Sequence, residues 1–203
     1  MSKNKISKKW IKRQNRDLFV KKSRIQGYRS RSAFKLIEID KKFNLLSKSK
    51  FFLDLGASPG GWSQIASNHI KDGKILSVDI KDMSPIKNIH FLKGDFTNLD
   101  MQNNILTFFN TKIDMVVSDM APNTTGNKNI DSWKTGKLCL SALYFSTNIL
   151  KKSGFFISKI FMGSIFKEIQ NLAKKKFKEV FIFKPESSRK ESKEIYIICK
   201  YLK

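Results

Sequence analysis

Short apolar runs alternate with amphipathic segments along most of the chain, and this alternation restricts the possible folds more than any other sequence feature. Runs such as FFLDL (51–55) and FFISKIF (155–161) are almost continuously apolar, as expected of strands that are covered on both faces. The segments between such runs carry apolar residues three or four positions apart, which is typical of helices. The alternation predicts an α/β fold with a doubly wound, mainly parallel sheet and helices on both faces.

The boundaries of the elements follow from apolar spacing and from glycines at their ends. We predict helices at 30–43, 61–70, 97–109, 131–151 and 163–175, and strands at 51–55, 75–80, 89–93, 113–118, 155–161, 179–184 and 194–202. The last two strands are joined by the short segment PESSRKES (185–192). They are therefore expected to form an antiparallel hairpin at one edge of the sheet.

The chain is strongly basic, with 40 lysines and arginines against 17 acidic residues and a formal net charge of +23. This charge indicates a polyanionic partner, and nucleic acid is the first candidate. A codon bias of an AT-rich genome could supply part of the lysine excess. It does not explain why five of the six arginines lie between Arg13 and Arg31. We predict a basic RNA-binding segment at 1–29, followed by one domain at 30–203. The rings of Trp10, Phe19 and Tyr28 could stack on bases, but anchoring of the segment to the core is the stronger interpretation.

Several classes of protein are disfavoured. Cys139 and Cys199 occur without CxxC or histidine spacing, so a disulfide framework or zinc site is not expected, and no metal is predicted. The first residues contain no apolar signal segment, and no uncharged apolar run approaches the roughly 18 residues of a membrane span. A cytoplasmic protein that does not bind membranes is expected.

The turn after the first strand is rich in glycine, with Gly56, Gly60 and Gly61 around Pro59. Glycine there permits a tight turn and the close approach of a ligand to the backbone. The spacing does not fit the G-x-G-x-x-G pattern, which disfavours a dinucleotide pyrophosphate and hence a dehydrogenase. Asp79 and Asp95 follow the next two strands and are placed to bind ribose hydroxyls and an adenine amino group. An adenosyl ligand without a pyrophosphate is indicated.

Seven segments together resemble the RrmJ/FtsJ family of ribose 2′-O-methyltransferases. They are RSRSAFKL, DLGASPGGWSQ, SVD, LKGDF, SDMAPN, ISKIFMG and KPESSRKESKEIYIICK, in the family's order and spacing, over roughly residues 17–203. The resemblance implies a Rossmann-like fold and S-adenosylmethionine as the methyl donor. It also implies a catalytic tetrad of Lys35, Asp119, Lys159 and Glu194, and donor-binding positions at Gly60, Trp62, Asp79, Asp95 and Asp119. The chain is most similar to the bacterial branch that methylates a uridine of large-subunit (23S) ribosomal RNA during ribosome maturation. This implies ribosomal RNA, within the large subunit, as partner, and a monomeric enzyme that does not act on DNA.

The residues themselves agree with this resemblance. Lys159 lies inside the apolar run FFISKIF, where a lysine is costly unless it is paired or functional. Lys35 alone would be interpreted as an exposed helix residue, and Glu194 alone as an exposed strand residue. Two other functions stay open: 2′-O-methylation of a transfer RNA or an mRNA cap, and a non-catalytic RNA-binding protein of ribosome assembly.

Overall fold

The computed structural model describes residues 17–122, 125–189 and 191–203, which contain a seven-stranded sheet flanked by helices. The helices are α1 (Leu18–Ile25), α2 (Ser32–Phe43), α3 (Gly61–His69), α4 (Leu99–Phe109), α5 (Lys128–Ile149) and α6 (Phe166–Lys176). The strands are β1 (Phe51–Leu55), β2 (Lys74–Asp79), β3 (Ile89–Lys93), β4 (Ile113–Ser118), β5 (Leu150–Phe161), β6 (Phe177–Phe183) and β7 (Glu194–Leu202). A short 3₁₀ turn, Leu46–Lys48, precedes β1.

The strands lie in the order β3-β2-β1-β4-β5-β7-β6. The first five are parallel to one another, whereas β7 is antiparallel to both β5 and β6. Two apolar cores cover the two faces: one contains residues of α4, α5 and α6, the other residues of α2 and α3. The predicted α/β fold and its antiparallel edge hairpin are confirmed. Strand β7 pairs with β5 along one edge and with β6 along the other, and most of its residues are buried. An edge strand would have only one such neighbour.

The basic segment contains a helix that the apolar pattern did not predict. Asp17 caps α1, because its carboxylate accepts hydrogen bonds from the backbone N–H groups of Phe19 (3.1 Å) and Val20 (3.4 Å). The rings of Phe19 and Tyr28 each lie 5.4 Å from that of Phe34 in α2. These two rings therefore anchor the segment to the domain. Residues 1–16, with Trp10, lie outside the described residues.

Two of the clustered arginines are engaged by the protein itself. Arg29 donates hydrogen bonds to the carbonyl oxygens of Pro59 (3.3 Å), Ser84 (2.5 Å) and Pro85 (2.6 Å). Arg31 pairs with Asp17 and donates to the carbonyl oxygen of Ser187. The guanidinium fork suits clustered carbonyl oxygens as well as phosphates, so the arginine cluster was only partly a signal of RNA binding.

Three elements begin at least two residues earlier than predicted. Helix α5 starts at Lys128, because Asn127 caps it by accepting from the N–H groups of Asn129 and Ile130. Strand β5 starts at Leu150, which pairs with Ile113 before the register shifts, so that Met115 pairs with Phe155. Gly154 lies inside this irregular stretch. Strand β6 begins directly after α6, at Phe177.

No helix within residues 17–122, 125–189 and 191–203 is both long and apolar enough to cross a membrane.

Candidate active site

Four predicted site positions lie along one edge of the sheet, where parallel strands end. Asp79 is the last residue of β2, Asp95 follows β3, and Asp119 directly follows β4. Gly60, after β1, caps the N-terminus of α3. Since the strands are ordered β3-β2-β1-β4, these positions form a row, about 14 Å long at the usual strand spacing of about 4.8 Å. A row of this kind at the carboxyl ends of strands is the usual ligand position in such folds.

The four positions of the predicted tetrad meet at the Asp119 end of this row. The Lys159 ammonium lies 3.0 Å from Oδ1 of Asp119 and also donates to the Asp119 carbonyl oxygen. The Lys35 ammonium lies 2.8 Å from Oε1 of Glu194 and 3.8 Å from Oδ1 of Asp119. Only 7–9% of the surface of Lys35, Lys159 and Glu194 is exposed. Two buried ammonium groups are thus balanced by two carboxylates, which keeps the cost of their burial low.

Asp119 connects the two lysines. Burial alone would raise the pKa of its carboxyl, but Lys159 and Lys35, together with a hydrogen bond from Tyr196, lower that pKa below its usual value. Asp119 is therefore ionised near neutral pH and holds both ammonium groups in place.

Two residues that sequence reasoning missed complete the cluster. The Tyr196 hydroxyl, fully buried, donates to Oδ1 of Asp119 at 2.7 Å, and the Lys35 ammonium lies 5.6 Å from the centre of its ring. The Ser188 hydroxyl donates to Glu194 at 2.8 Å. Strand periodicity was a usable signal for Tyr196, because residues two apart in a strand point to the same face and Glu194 had already been identified.

Glu38, which also belongs to α2, holds the loop that carries Ser188. Its carboxylate accepts from the backbone N–H groups of Glu186 (2.5 Å) and Ser187 (3.0 Å). The helix that presents Lys35 therefore also fixes the loop that supports Glu194.

The glycine turn serves protein packing as well as any ligand. A Cβ on Gly56 would lie 2.5 Å from the side chain of Met120 and 2.9 Å from its Cα. Gly60 has φ +103°, a conformation that side-chain-bearing residues rarely adopt, and its neighbours are the movable side-chain ends of Ile86, Met83 and Arg29. At Gly56 the close approach is that of the protein itself, because the turn after β4 occupies that space.

Trp62 does not present its side chain to the row. The indole is 2% exposed, donates to the carbonyl oxygen of Ser32 at 2.8 Å, and lies 5.6 Å from the Tyr196 ring. Only its backbone N–H, in the first turn of α3, remains for a ligand; such N–H groups lack intrahelical partners and attract negative groups.

Asp79 and Asp95 have different surroundings. Both oxygens of Asp79 accept backbone N–H groups, from Ser58 (2.8 Å) and Lys81 (2.8 Å), which fixes the carboxylate beside the glycine turn. Asp95 is exposed and accepts from the N–H and hydroxyl of Thr97. It borders a cleft of about 650 Å³ whose lining includes Gly94, Asn98 and Met101. A row with three carboxylates, a helix N-terminus and an adjoining cleft fits the hydroxyl, amino and carboxylate groups of S-adenosylmethionine.

Comparison with known proteins identifies the family. The model of the FtsJ-like methyltransferase family matches residues 28–202. The chain belongs to the FtsJ-like methyltransferase family. Its resemblance to that family, inferred from seven motifs, is confirmed. The match begins at Tyr28 and so includes α2 and every strand. The chain is therefore a methyltransferase, and its cofactor is S-adenosylmethionine.

Full-length relatives share one description. This methyltransferase is 55% identical over 203 residues to the Ribosomal RNA large subunit methyltransferase E of Pelagibacter ubique, with all of both chains covered. It is 46% identical over 196 residues to the protein of the same name from Rickettsia akari, which covers 94% of this chain and 86% of that one.

Solved structures agree on the fold. A Plasmodium falciparum protein described as a ribosomal RNA methyltransferase superposes with a TM-score of 0.77 at 34% identity, covering 86% of this chain and 98% of that one. Human methyltransferase-like protein 13, crystallised with S-adenosylhomocysteine, superposes with a TM-score of 0.59 at 15% identity, over 83% of this chain and 79% of that one. At that identity the second likeness shows the fold alone.

Proposed function

We propose that this FtsJ-like methyltransferase methylates the 2′-hydroxyl of a uridine ribose in large-subunit ribosomal RNA. The observation that carries the proposal is the buried cluster in which Lys35 and Lys159 are paired with Asp119 and Glu194, at one end of a row suited to an adenosyl ligand. The names of its full-length relatives support the choice of RNA. The 2′-hydroxyl is the group that distinguishes RNA from DNA.

The cofactor site is assigned to the row of strand ends. Asp79 would bind the ribose, Asp95 the adenine, and the backbone at Gly60 and Trp62 would contact the amino-acid part, with Asp119 at the reactive end. S-adenosylmethionine supplies a methyl group on a positively charged sulfur. The pKa of Asp119 is lowered, so its carboxylate is negatively charged and attracts the positively charged sulfur.

Lys159 is assigned as the general base. In its neutral form it would accept the 2′-hydroxyl proton at Nζ as the oxygen becomes nucleophilic, a role that positioned side chains perform in many transfers. Asp119 and the carbonyl oxygen of the same residue hold that nitrogen in place. Lys35, held chiefly by Glu194, would orient the ribose or its phosphate. Much of the rate then comes from positioning.

The proposal is tested by supplying labelled S-adenosylmethionine with four acceptors: unmodified large ribosomal subunits, naked ribosomal RNA, transfer RNA and DNA. A 2′-O-methyl group prevents alkaline cleavage of the following linkage, so the product is mapped as an alkali-resistant uridine dinucleotide. Transfer to the subunit or to ribosomal RNA is expected. If only transfer RNA were methylated, transfer RNA rather than ribosomal RNA would be the substrate. If the protein bound RNA but methylated none of the acceptors, the result would favour a non-catalytic protein of ribosome assembly.

A further inference from the structure

A lysine-lined cleft lies at the edge of the sheet opposite the tetrad. It has a volume of about 710 Å³ and lies where α5 and α6 end and where β4 and β5 begin. Six of its ten lining residues are lysines: Lys112, Lys151, Lys152, Lys175, Lys176 and Lys203. No aspartate or glutamate is among the lining residues within the described part of the chain.

Most of this positive charge is not neutralised by the protein. Lys151 pairs with Asp114 at 2.6 Å, and the same carboxylate accepts backbone N–H groups of Lys50 and Phe51. Lys112 donates to the backbone carbonyl oxygen of Asn148, a neutral acceptor that leaves the ammonium charge in place. Lys152 donates to a main-chain oxygen of Lys203, the last residue of the sequence, where a terminal carboxylate would supply one negative charge. Among the described residues, one lysine of the six is therefore paired with an aspartate, and a terminal carboxylate at Lys203 would compensate one more.

Helix stabilisation accounts for only part of the cluster. Lysines in the last turn of a helix interact favourably with its C-terminus, which carries about half a negative charge. Two helices end at the cleft and together contribute about one negative charge. Even when a terminal carboxylate at Lys203 is counted with Asp114 and the two helix ends, the six lysines exceed these negative charges, so the cleft carries unbalanced positive charge.

We infer that this cleft binds the phosphate backbone of the RNA at a point remote from the methylated nucleotide. The inference rests on the proposed function for the identity of the polyanion. Lysines provide mobile point charges that suit phosphate recognition without reading of sequence. Thr147 and Asn148 add polar groups to the lining.

The distance between the lysine-lined cleft and the tetrad indicates the size of the RNA that would contact both. Lys112 precedes β4 and Asp119 follows it, so the two edges are about 23 Å apart at about 3.3 Å per residue. Because the sheet and the helices that cover it lie between the two sites, an RNA that contacts both must pass around the protein. A large folded RNA, whose helices pass around the protein, would contact the cleft while its target ribose lies beside Lys159.

The test compares two triple variants of the full chain. Lys152→Gln/Lys175→Gln/Lys176→Gln removes three cleft charges, and Lys41→Gln/Lys48→Gln/Lys71→Gln removes three exposed charges outside it. Affinity for a large folded ribosomal RNA fragment is measured over a range of salt. Each lost phosphate contact lowers the slope of log affinity against log salt by about 0.7 to 0.9, so the cleft variant should lose about 2 to 3, and the control less than 1.

Two further measurements separate the possible outcomes. S-adenosylmethionine affinity and methylation of a short oligonucleotide carrying the target should stay at the wild-type level in both variants. Equal slope losses in the two variants, or an unchanged slope in the cleft variant, would overturn the inference. Absence of methyl transfer by the wild-type chain would instead contradict the proposed function, while the slopes still decide whether the cleft binds RNA.

Discussion

At the scale of single residues, the two buried lysines differ in which carboxylate holds them. Lys159 lies 3.0 Å from Asp119, at the end of the donor row, whereas Lys35 is closest to Glu194. Lys159 is thus the lysine closest to Asp119, the residue at the end of the donor row. The proposed role of Lys159 as general base leads to a substitution test.

Replacement of Lys159 by arginine should slow the chemical step at least about 100-fold, the usual loss when a general base is removed. Arginine keeps the positive charge but does not lose its proton near neutral pH. The measurement is the single-turnover rate at saturating RNA and donor, with dissociation constants for both expected to stay near wild-type. Lys151→Arg, on the same strand and paired with Asp114, is the matched control and should keep full activity. A normal rate for Lys159→Arg would make that lysine a positioning residue.

Asp54, in the middle of β1, is the other residue with unusual electrostatics. It is 1% exposed; one oxygen accepts the Ser63 hydroxyl at 2.6 Å, and Oδ1 is buried with no hydrogen-bond partner among the described residues. Burial, with repulsion from Asp119 and Asp79, raises the pKa of Asp54 to about 7. The native state therefore binds a proton that the unfolded chain releases near pH 4.

The pH dependence of stability should reveal this proton. Since the native pKa lies above the unfolded one, the contribution of Asp54 is fully present below about pH 4 and is lost as pH rises toward about 7, at up to about 1.4 kcal/mol per pH unit. Asp54→Asn has no proton to lose. Urea unfolding of both proteins from pH 4 to 8 should show the wild type losing stability relative to the variant until about pH 7. A constant difference between them would mean that Asp54 titrates normally.

At the scale of elements, apolar runs located all seven strands, because strands covered on both faces need continuous apolar residues. The same pattern also predicted the final hairpin. It did not predict that β7 lies inside the sheet, since the order of strands depends on long-range pairing rather than on local sequence. For that reason Glu194 looked exposed by itself, and only the resemblance identified it.

Helix α1 was missed for a related reason. Its mean composition is polar, and its stability comes from Asp17, which caps the helix and pairs with Arg31 and Arg189. The two ion pairs join Asp17 to residues 14 and 172 positions away in the sequence, and such contacts leave no periodic signal.

Asp17 offers a test of how this element is held. Asp17→Asn keeps a side-chain oxygen that can cap the helix but loses the ion pairs, whereas Asp17→Ala loses both. Loss of a cap costs about 1 kcal/mol, so the alanine variant should be less stable than the asparagine variant by about that amount, and the asparagine variant less stable than wild type. Denaturant unfolding measures both differences. Equal stability of all three proteins would show that the contacts of Asp17 do not support the fold.

At the scale of the whole molecule, positive charge is distributed over several regions. Residues 1–16 contain seven lysines and arginines, and the far edge of the sheet carries the lysine-lined cleft. The composition predicted a polyanionic partner but not this distribution, because the far edge collects lysines from four separate stretches of the chain.

Deletion of residues 1–16 tests the role assigned to the basic N-terminal segment. The deletion ends before Asp17, so the cap of α1 and the donor row stay intact. If the segment contacts phosphates, RNA affinity should fall and the salt slope should decrease by about 2 or more, while S-adenosylmethionine affinity measured by calorimetry is unchanged. An identical salt slope in the shortened protein would show that these charges are only solvated.

The position of β7 between β5 and β6 has a consequence for biosynthesis. Glu194 and Tyr196 are the last parts of the tetrad cluster to be made, and Lys35 has its closest carboxylate only when β7 is in place. A nascent chain therefore lacks a complete active site until translation has passed this strand and the strand has inserted. Any activity that requires the complete cluster is therefore expected only after the last strand has been synthesised and has paired with β5 and β6.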